Sequence, residues 1–220
     1  MKTSEQTLSL RSYNLKGKVE YFSDKKIPSV FIDKGWETLM DTTQSGLISI
    51  QNKYFNKNGY LTNLKYYDKD SILLTNSEIL FSNKGKYEGS KDFDIDGNQL
   101  QWTKIIESTP EFLKVELYDF KTGDLISKSK TEYKNGLYIR QLSEYVNQNR
   151  KSDFIIKRDD EGNEIEISFV VEYGEQKVEN VSNIKYLEFD SLGNWTKRIE
   201  YNRENGKECM LIIRRIQYYE

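Results

Sequence analysis

Residues 92–97 read Asp-Phe-Asp-Ile-Asp-Gly, the densest concentration of chemistry-bearing side chains in the chain. Alternate carboxylates on a tight turn can converge on one hard cation, and D-x-D-x-D-G opens an EF-hand-type calcium loop. The twelfth position of such a loop, normally a bidentate glutamate, falls on Thr103, within a segment that alternates like a strand. A hairpin turn therefore accounts for the string better than a metal site, and Asp92, Asp94 and Asp96 stand as the calcium candidates. Asp159, Asp160 and Glu161 form a second acidic run, but adjacent turn residues diverge and no opposed carboxylate accompanies them. Glu164, Glu166 and Glu172 read as the solvent face of their own strand. The chain has no histidine, which removes the commonest general base and the commonest metal ligand together. Its one cysteine, Cys209, lies in the apolar string KECMLII, where an inert buried thiol is expected. No glycine-rich loop opens a helix as phosphate binding requires. The expectation is a protein without a catalytic site or a cofactor.

Composition narrows the partners. The 220 residues carry 33 Lys and Arg against 35 Asp and Glu, a net charge of −2 with no basic block. The electrostatic footprint of a nucleic-acid binder is absent, although tyrosines interleave with lysines at 52–67. No stretch approaches the roughly 18 apolar residues of a spanning helix. The first residues, MKTSEQTLSLRSYN, lack the apolar centre of a signal peptide. The protein is therefore periplasmic or envelope-bound if an export signal has been removed, and cytoplasmic otherwise.

The elements that hold these residues are set by a recurring turn. FNKNGY, FSNKGK, FDIDGN, YDFKTGD, YKNG, RDDEGN, FDSLGN and YNRENGK recur along the chain, usually placing an aromatic before a polar run and a glycine. Most gaps between the glycines from Gly59 to Gly206 are 12, 13 or 26 residues, and Ser71 falls inside the first long gap. Such a period governs the whole fold. Between turns the chain alternates apolar and polar: Ile165, Ile167, Phe169, Val171 and Tyr173 share one face, and Trp195, Lys197, Ile199 and Tyr201 another. Strand plus tight turn without crossovers means antiparallel hairpins. The pattern predicts an all-β protein, one long antiparallel meander of hairpin repeats, as a strongly twisted or curled single sheet, open or partly closed. Residues 1–44 read as an irregular segment holding a first strand (LKGKVEYF), and 45–220 as the continuous repeat domain. The last strand, MLIIRRIQYY, needs a cover, by the N-terminal segment or by another protein.

LKGKVEYF followed by FNKNGYL, FDIDGN, YDFKTGDL and FDSLGNWTKRIEY resembles bacterial β-repeat proteins of the Bacteroidetes, related in style to Rhs/YD-repeat proteins. The resemblance implies an exported, non-catalytic protein that binds other proteins, as an accessory or plug-like subunit of a cell-envelope or secretion complex. The alternative is an immunity protein that blocks a toxin. In either case the partner is a protein, and the expected anchors are Trp36, Trp102, Trp195, Tyr66, Tyr218 and Tyr219.

Overall fold

A computed structural model describes residues 10–32, 35–38, 49–82, 86–204 and 208–220; the side chains of 10–11, 29–38 and 208–209 lie outside that description. A 3-10 turn, Leu10–Tyr13, precedes fifteen strands. The first seven are β1 (Val19–Ile32), β2 (Gly35–Thr38), β3 (Ser49–Phe55), β4 (Leu61–Tyr67), β5 (Leu73–Phe81), β6 (Tyr87–Phe93) and β7 (Gln99–Ser108). The rest are β8 (Phe112–Asp119), β9 (Leu125–Lys134), β10 (Leu137–Tyr145), β11 (Arg150–Arg158), β12 (Glu164–Tyr173), β13 (Gln176–Phe189), β14 (Trp195–Asn202) and β15 (Glu208–Tyr218). All pair antiparallel: from β3 to β15 each strand pairs with the next in sequence, and β1 pairs with β2 and β3.

The repeated turn works as its residue types dictate. Asp94 Oδ1 accepts the backbone N–H groups of Asp96 and Asn98 at 3.0 and 2.8 Å, and Gly97 takes φ +80°. Asn56, Asp68, Asp159 and Asp190 make the same pair of bonds two and four residues on. The side chain thus stands in for a backbone acceptor, and the residue before strand resumption sits in the left-handed region. Ser71 fills that position with φ 64°, which places it within the turn series that the glycines otherwise mark.

The meander closes on itself. β1 pairs with β15 from Val19↔Tyr218 to Val30↔Glu208, so a fourteen-stranded barrel forms and β2 hangs on β1 outside the ring. Closure of a curled sheet removes its edges. The apolar last strand is covered by the N-terminal one, and a closed barrel replaces the open or partly closed sheet. One end of the barrel is packed with Val19, Phe22, Phe55 and Leu61, all 3% exposed or less. Tyr13 caps this cluster edge-on, its ring 5.8 Å from Phe22 and 5.9 Å from Phe55.

Bulges decide which side chains enter. β11 and β12 slip by one residue between Lys157 and Arg158, so Arg158 faces Glu164 while Lys157 faces Glu166. A one-residue slip transfers every later side chain to the other face. Ile167, Phe169, Val171 and Tyr173 face inward as the alternation predicts, but Glu164 leaves the expected solvent face and Ile165 is 45% exposed. A second irregularity between β13 and β14, near Glu188, puts Trp195 and Arg198 on the inner wall together and leaves Lys197 outside.

Candidate functional site

The barrel interior holds a cavity of about 560 Å³. Its wall carries an ionic network. Arg214 grips Asp24 through Nε and Nη2 at 2.6 and 2.7 Å, across the seam between β15 and β1. Arg198 donates to Glu164 and to Glu200 at 2.5 Å each, and Arg158 reaches Glu164 at 3.2 Å. Trp195 underlies both central arginines, with the guanidinium carbons of Arg214 and Arg198 at 3.6 and 4.4 Å from its ring centre. Such stacking offsets part of the cost of burying the cations.

Electrostatics follow from this geometry. Burial alone would raise the Asp24 carboxyl, but the charge and hydrogen bonds of Arg214 outweigh it and hold the group below the usual carboxylate range. Glu164 is likewise pushed up by burial and pulled down further by Arg198 and Arg158. Burial drives the Lys53 ammonium down to about 7, with Asp24 opposing part of the shift. Lys53 donates to Gln51 at 2.5 Å and lies over the rings of Tyr13 and Phe22. All three lumenal acids are therefore engaged by arginines.

The plugged end and the opposite end differ. Near the plug, Asn194 links the N-terminal segment to the barrel: its Oδ1 accepts Lys16 N–H at 2.7 Å, and its Nδ2 donates to Lys16 O and Tyr218 Oη. Toward the other end, the inward residues Tyr66 and Phe169 remain 37% and 39% exposed, so water reaches the lumen there. Arg150 lies at this end, between the rings of Tyr145 and Tyr173 at 4.5 and 5.5 Å.

The outer wall has its own concavity. A groove of about 530 Å³ crosses β7 to β13, floored by Ile106, Leu142 and Val170 and flanked by lysines and glutamates. Small inner side chains underlie it: Ser129 and Ser143 share a hydrogen bond of 2.8 Å, and Ser143 and Ser152 line both groove and lumen. The wall is thin there because no large side chain props it out. The outward positions, within the groove and beyond it, carry Lys114–Glu107, Arg140–Asp153, Lys157–Glu166 and Lys197–Glu188 ion pairs. A lipid-facing barrel needs an apolar outer band about 25 Å tall, which these mid-strand charges do not allow. No helix among the described residues is long and apolar enough to cross a membrane.

The sequence candidates separate on this frame. Asp92 bonds Gln101 Nε2 at 2.6 Å while Asp94 is spent on its own turn, so the acidic string does not converge, and among the described residues no cluster suits a metal. Trp195 is buried under the arginines, and Tyr66 lines the lumen. Tyr218 bonds Asp190 and Asn194, and Tyr219 donates to Phe55 O at 2.5 Å, so both fasten the seam end. Trp102 stands on the outer wall, stacked on Tyr118 at 4.7 Å. Trp36 pairs with Phe31 in β2, and its side chain lies outside the described residues, as does that of Cys209. The structure thus does not gather the six aromatics into one surface. Arg150, Arg158, Arg198, Arg214 and Lys53 escape sequence reasoning because inward and outward cations look alike in an alternating strand.

No sequence family matches the chain, and no curated protein resembles it in sequence. Among solved structures, it is similar to a porin-like protein from Bacteroides vulgatus, at 9% identity and a TM-score of 0.46, over 93% of this chain and 99% of that one. A porin-like protein from Bacteroides uniformis matches at 10% identity and a TM-score of 0.36, over 90% and 96%. TcdB2-TccC3 without its hypervariable C-terminal region matches at 13% and 0.31, over 83% of this chain but 11% of that one. None of these is close enough in geometry to carry an argument about function.

Proposed function

We propose that this chain is a non-catalytic protein-binding protein that seats a segment of its partner in the outer groove. The groove itself carries the reading: an apolar floor of Ile106, Leu142 and Val170 lies in a concavity flanked by lysines and glutamates. Closure of the barrel supports side-chain recognition over strand addition, because β1 and β15 satisfy one another. The rim charges alternate in sign, with Lys128, Lys151 and Lys177 beside Glu116, Glu144 and Glu172. A fitting occupant is a protein segment with apolar side chains flanked by charges of both signs. An accessory subunit of a cell-envelope assembly, as the sequence resemblance implies, is the setting we infer for it.

Affinity capture from native cells tests this, with Leu142→Asp as the groove variant and Leu100→Asp as an outer-wall control. The reading expects a stoichiometric partner held by wild type and by Leu100→Asp and lost from Leu142→Asp. Equal capture by all three, or none by wild type, overturns it.

A further inference from the structure

The charge of the lumen does not balance. Six cations line the cavity: Lys26, Lys53, Arg150, Arg158, Arg198 and Arg214. Three anions face them: Asp24, Glu164 and Glu200. The excess is two positive charges and the part-charge of Lys53, whose ammonium burial drives down to about 7, in a chain whose net charge is −2. All three anions are taken up by Arg158, Arg198 and Arg214, and among the described residues Lys26, Lys53 and Arg150 make no ion pair. Charges in a low-dielectric enclosure attract a counter-ion more strongly than the same charges in water.

Two polar atoms add direction. Arg150 Nε and Arg198 Nε are buried without a hydrogen-bond partner, although both are donors. Buried donors of this kind are normally satisfied, and one left open beside a cavity marks a place where an acceptor fits. Arg198 is 8% exposed and is held by its other nitrogens to Glu164 and Glu200, so its Nε–H is fixed in direction. Arg150 is held between Tyr145 and Tyr173 at the wet end of the lumen, at the start of a path inward. The cavity between them is bordered by flat rings: Tyr66, Tyr138, Phe154, Phe169 and Trp195.

We propose that the lumen is a binding site for a small organic anion with a planar body, drawn in past Arg150 and lying with its acidic head toward Arg198. A volume of about 560 Å³ suits a molecule of that class. The aromatic lining takes the body by stacking, and the guanidinium donors take a carboxylate, sulfonate or phosphate oxygen. This site is separate from the outer groove.

The test uses the whole chain and two probes that share a naphthyl-phenylamine body. One, 8-anilinonaphthalene-1-sulfonate, carries the anionic head; the other, N-phenyl-1-naphthylamine, lacks it. Fluorescence titration is expected to give saturable one-to-one binding of the sulfonate, with the neutral probe at least about tenfold weaker. Inorganic phosphate at millimolar concentration is expected to displace the sulfonate. Arg150→Gln, and Lys26→Gln at an exposed position, are each expected to weaken the sulfonate about fivefold or more, while the outward Lys197→Gln leaves it unchanged. Circular dichroism checks that each variant is folded, and Lys26→Gln keeps the test open if Arg150→Gln is not. Equal binding of both probes, or unchanged sulfonate binding in a folded lumenal variant, overturns the proposal.

Discussion

The seam between β1 and β15 makes a quantitative prediction. Asp24 and Arg214 have side chains 10% and 7% exposed and are joined by two short hydrogen bonds. Arg214 is also stacked on Trp195 and Phe22, at 3.6 and 4.2 Å from their ring centres, so it cannot swing out to water when its partner is lost. Asp24→Leu therefore strands a buried guanidinium, and the cost expected for a broken buried pair is about 3–5 kcal/mol. A domain holds only about 5–15 kcal/mol in all, so the variant loses a large share of its stability. Arg214→Met alone should cost a comparable amount, because it leaves the carboxylate behind. The double variant, Asp24→Leu with Arg214→Met, removes both charges, and apolar replacement of a buried pair is expected to be neutral or stabilising by about 1–4 kcal/mol. Urea unfolding at pH 8 measures all four proteins, with the slopes compared to verify that the same surface is exposed. At that pH Lys53, whose value is about 7, is mostly neutral and adds little once Asp24 is gone. A cost below about 1 kcal/mol for Asp24→Leu, typical of exposed pairs, would refute the argument. So would a double variant as unstable as the sum of the singles. The pH sign is fixed too. The Asp24 carboxyl is lowered in the folded state, so its contribution is present above the unfolded value near 3.9 and is lost as pH falls below it.

Three further outcomes follow from particular residues. The folded Lys53 value of about 7 lies below the unfolded value near 10.4, so the unfolded chain holds more protons between them and stability should rise from pH 7 to about 9.5. Lys53→Met should flatten that rise in urea midpoints, while above pH 10 the buried tyrosines Tyr13 and Tyr138, both raised chiefly by burial, turn the trend downward. Gly97→Ala meets no atom within 4 Å and bears only its φ of +80°, about 1 kcal/mol, whereas a Cβ on Gly89 would stand 2.3 Å from Thr103 O and should cost about 3 kcal/mol or more. Equal melting temperatures for these two variants would contradict the register of β6 and β7. Asn194→Ala removes three hydrogen bonds to Lys16 and Tyr218 at a site 2% exposed, an expected loss of about 2–3 kcal/mol by thermal or urea unfolding, while Asn98→Ala at the matching exposed turn position should change little.

Asn98 and Asn194 also mark the limit of what the sequence carries. Both close the same turn motif, and the motif is legible because its bonds are local: an Asx oxygen two and four residues from the N–H groups it accepts. Among the described residues, thirteen strands follow residue 45. What Asn194 does beyond its turn depends on Lys16, 178 residues away, and no pattern within FDSLGN reports that. Closure has the same character: an apolar β15 asks for a cover, but only the accumulated curl of fourteen strands brings β1 to it.

The lumenal charges were hidden for a different reason. Strict alternation assigns Glu164 to solvent with Glu166, and Trp195 to the face opposite Arg198, and both assignments fail through a single extra residue in a strand. The two errors meet in one network, because Glu164 and Arg198 are partners at 2.5 Å, with Arg158 and Glu200 as their further partners. A barrel built only for stability would have gained more from apolar residues at both places. That these positions hold charge, with cations left in excess around an aromatic-lined space open at one end, is why the interior, and not the acidic turns that first draw the eye, is where a ligand belongs.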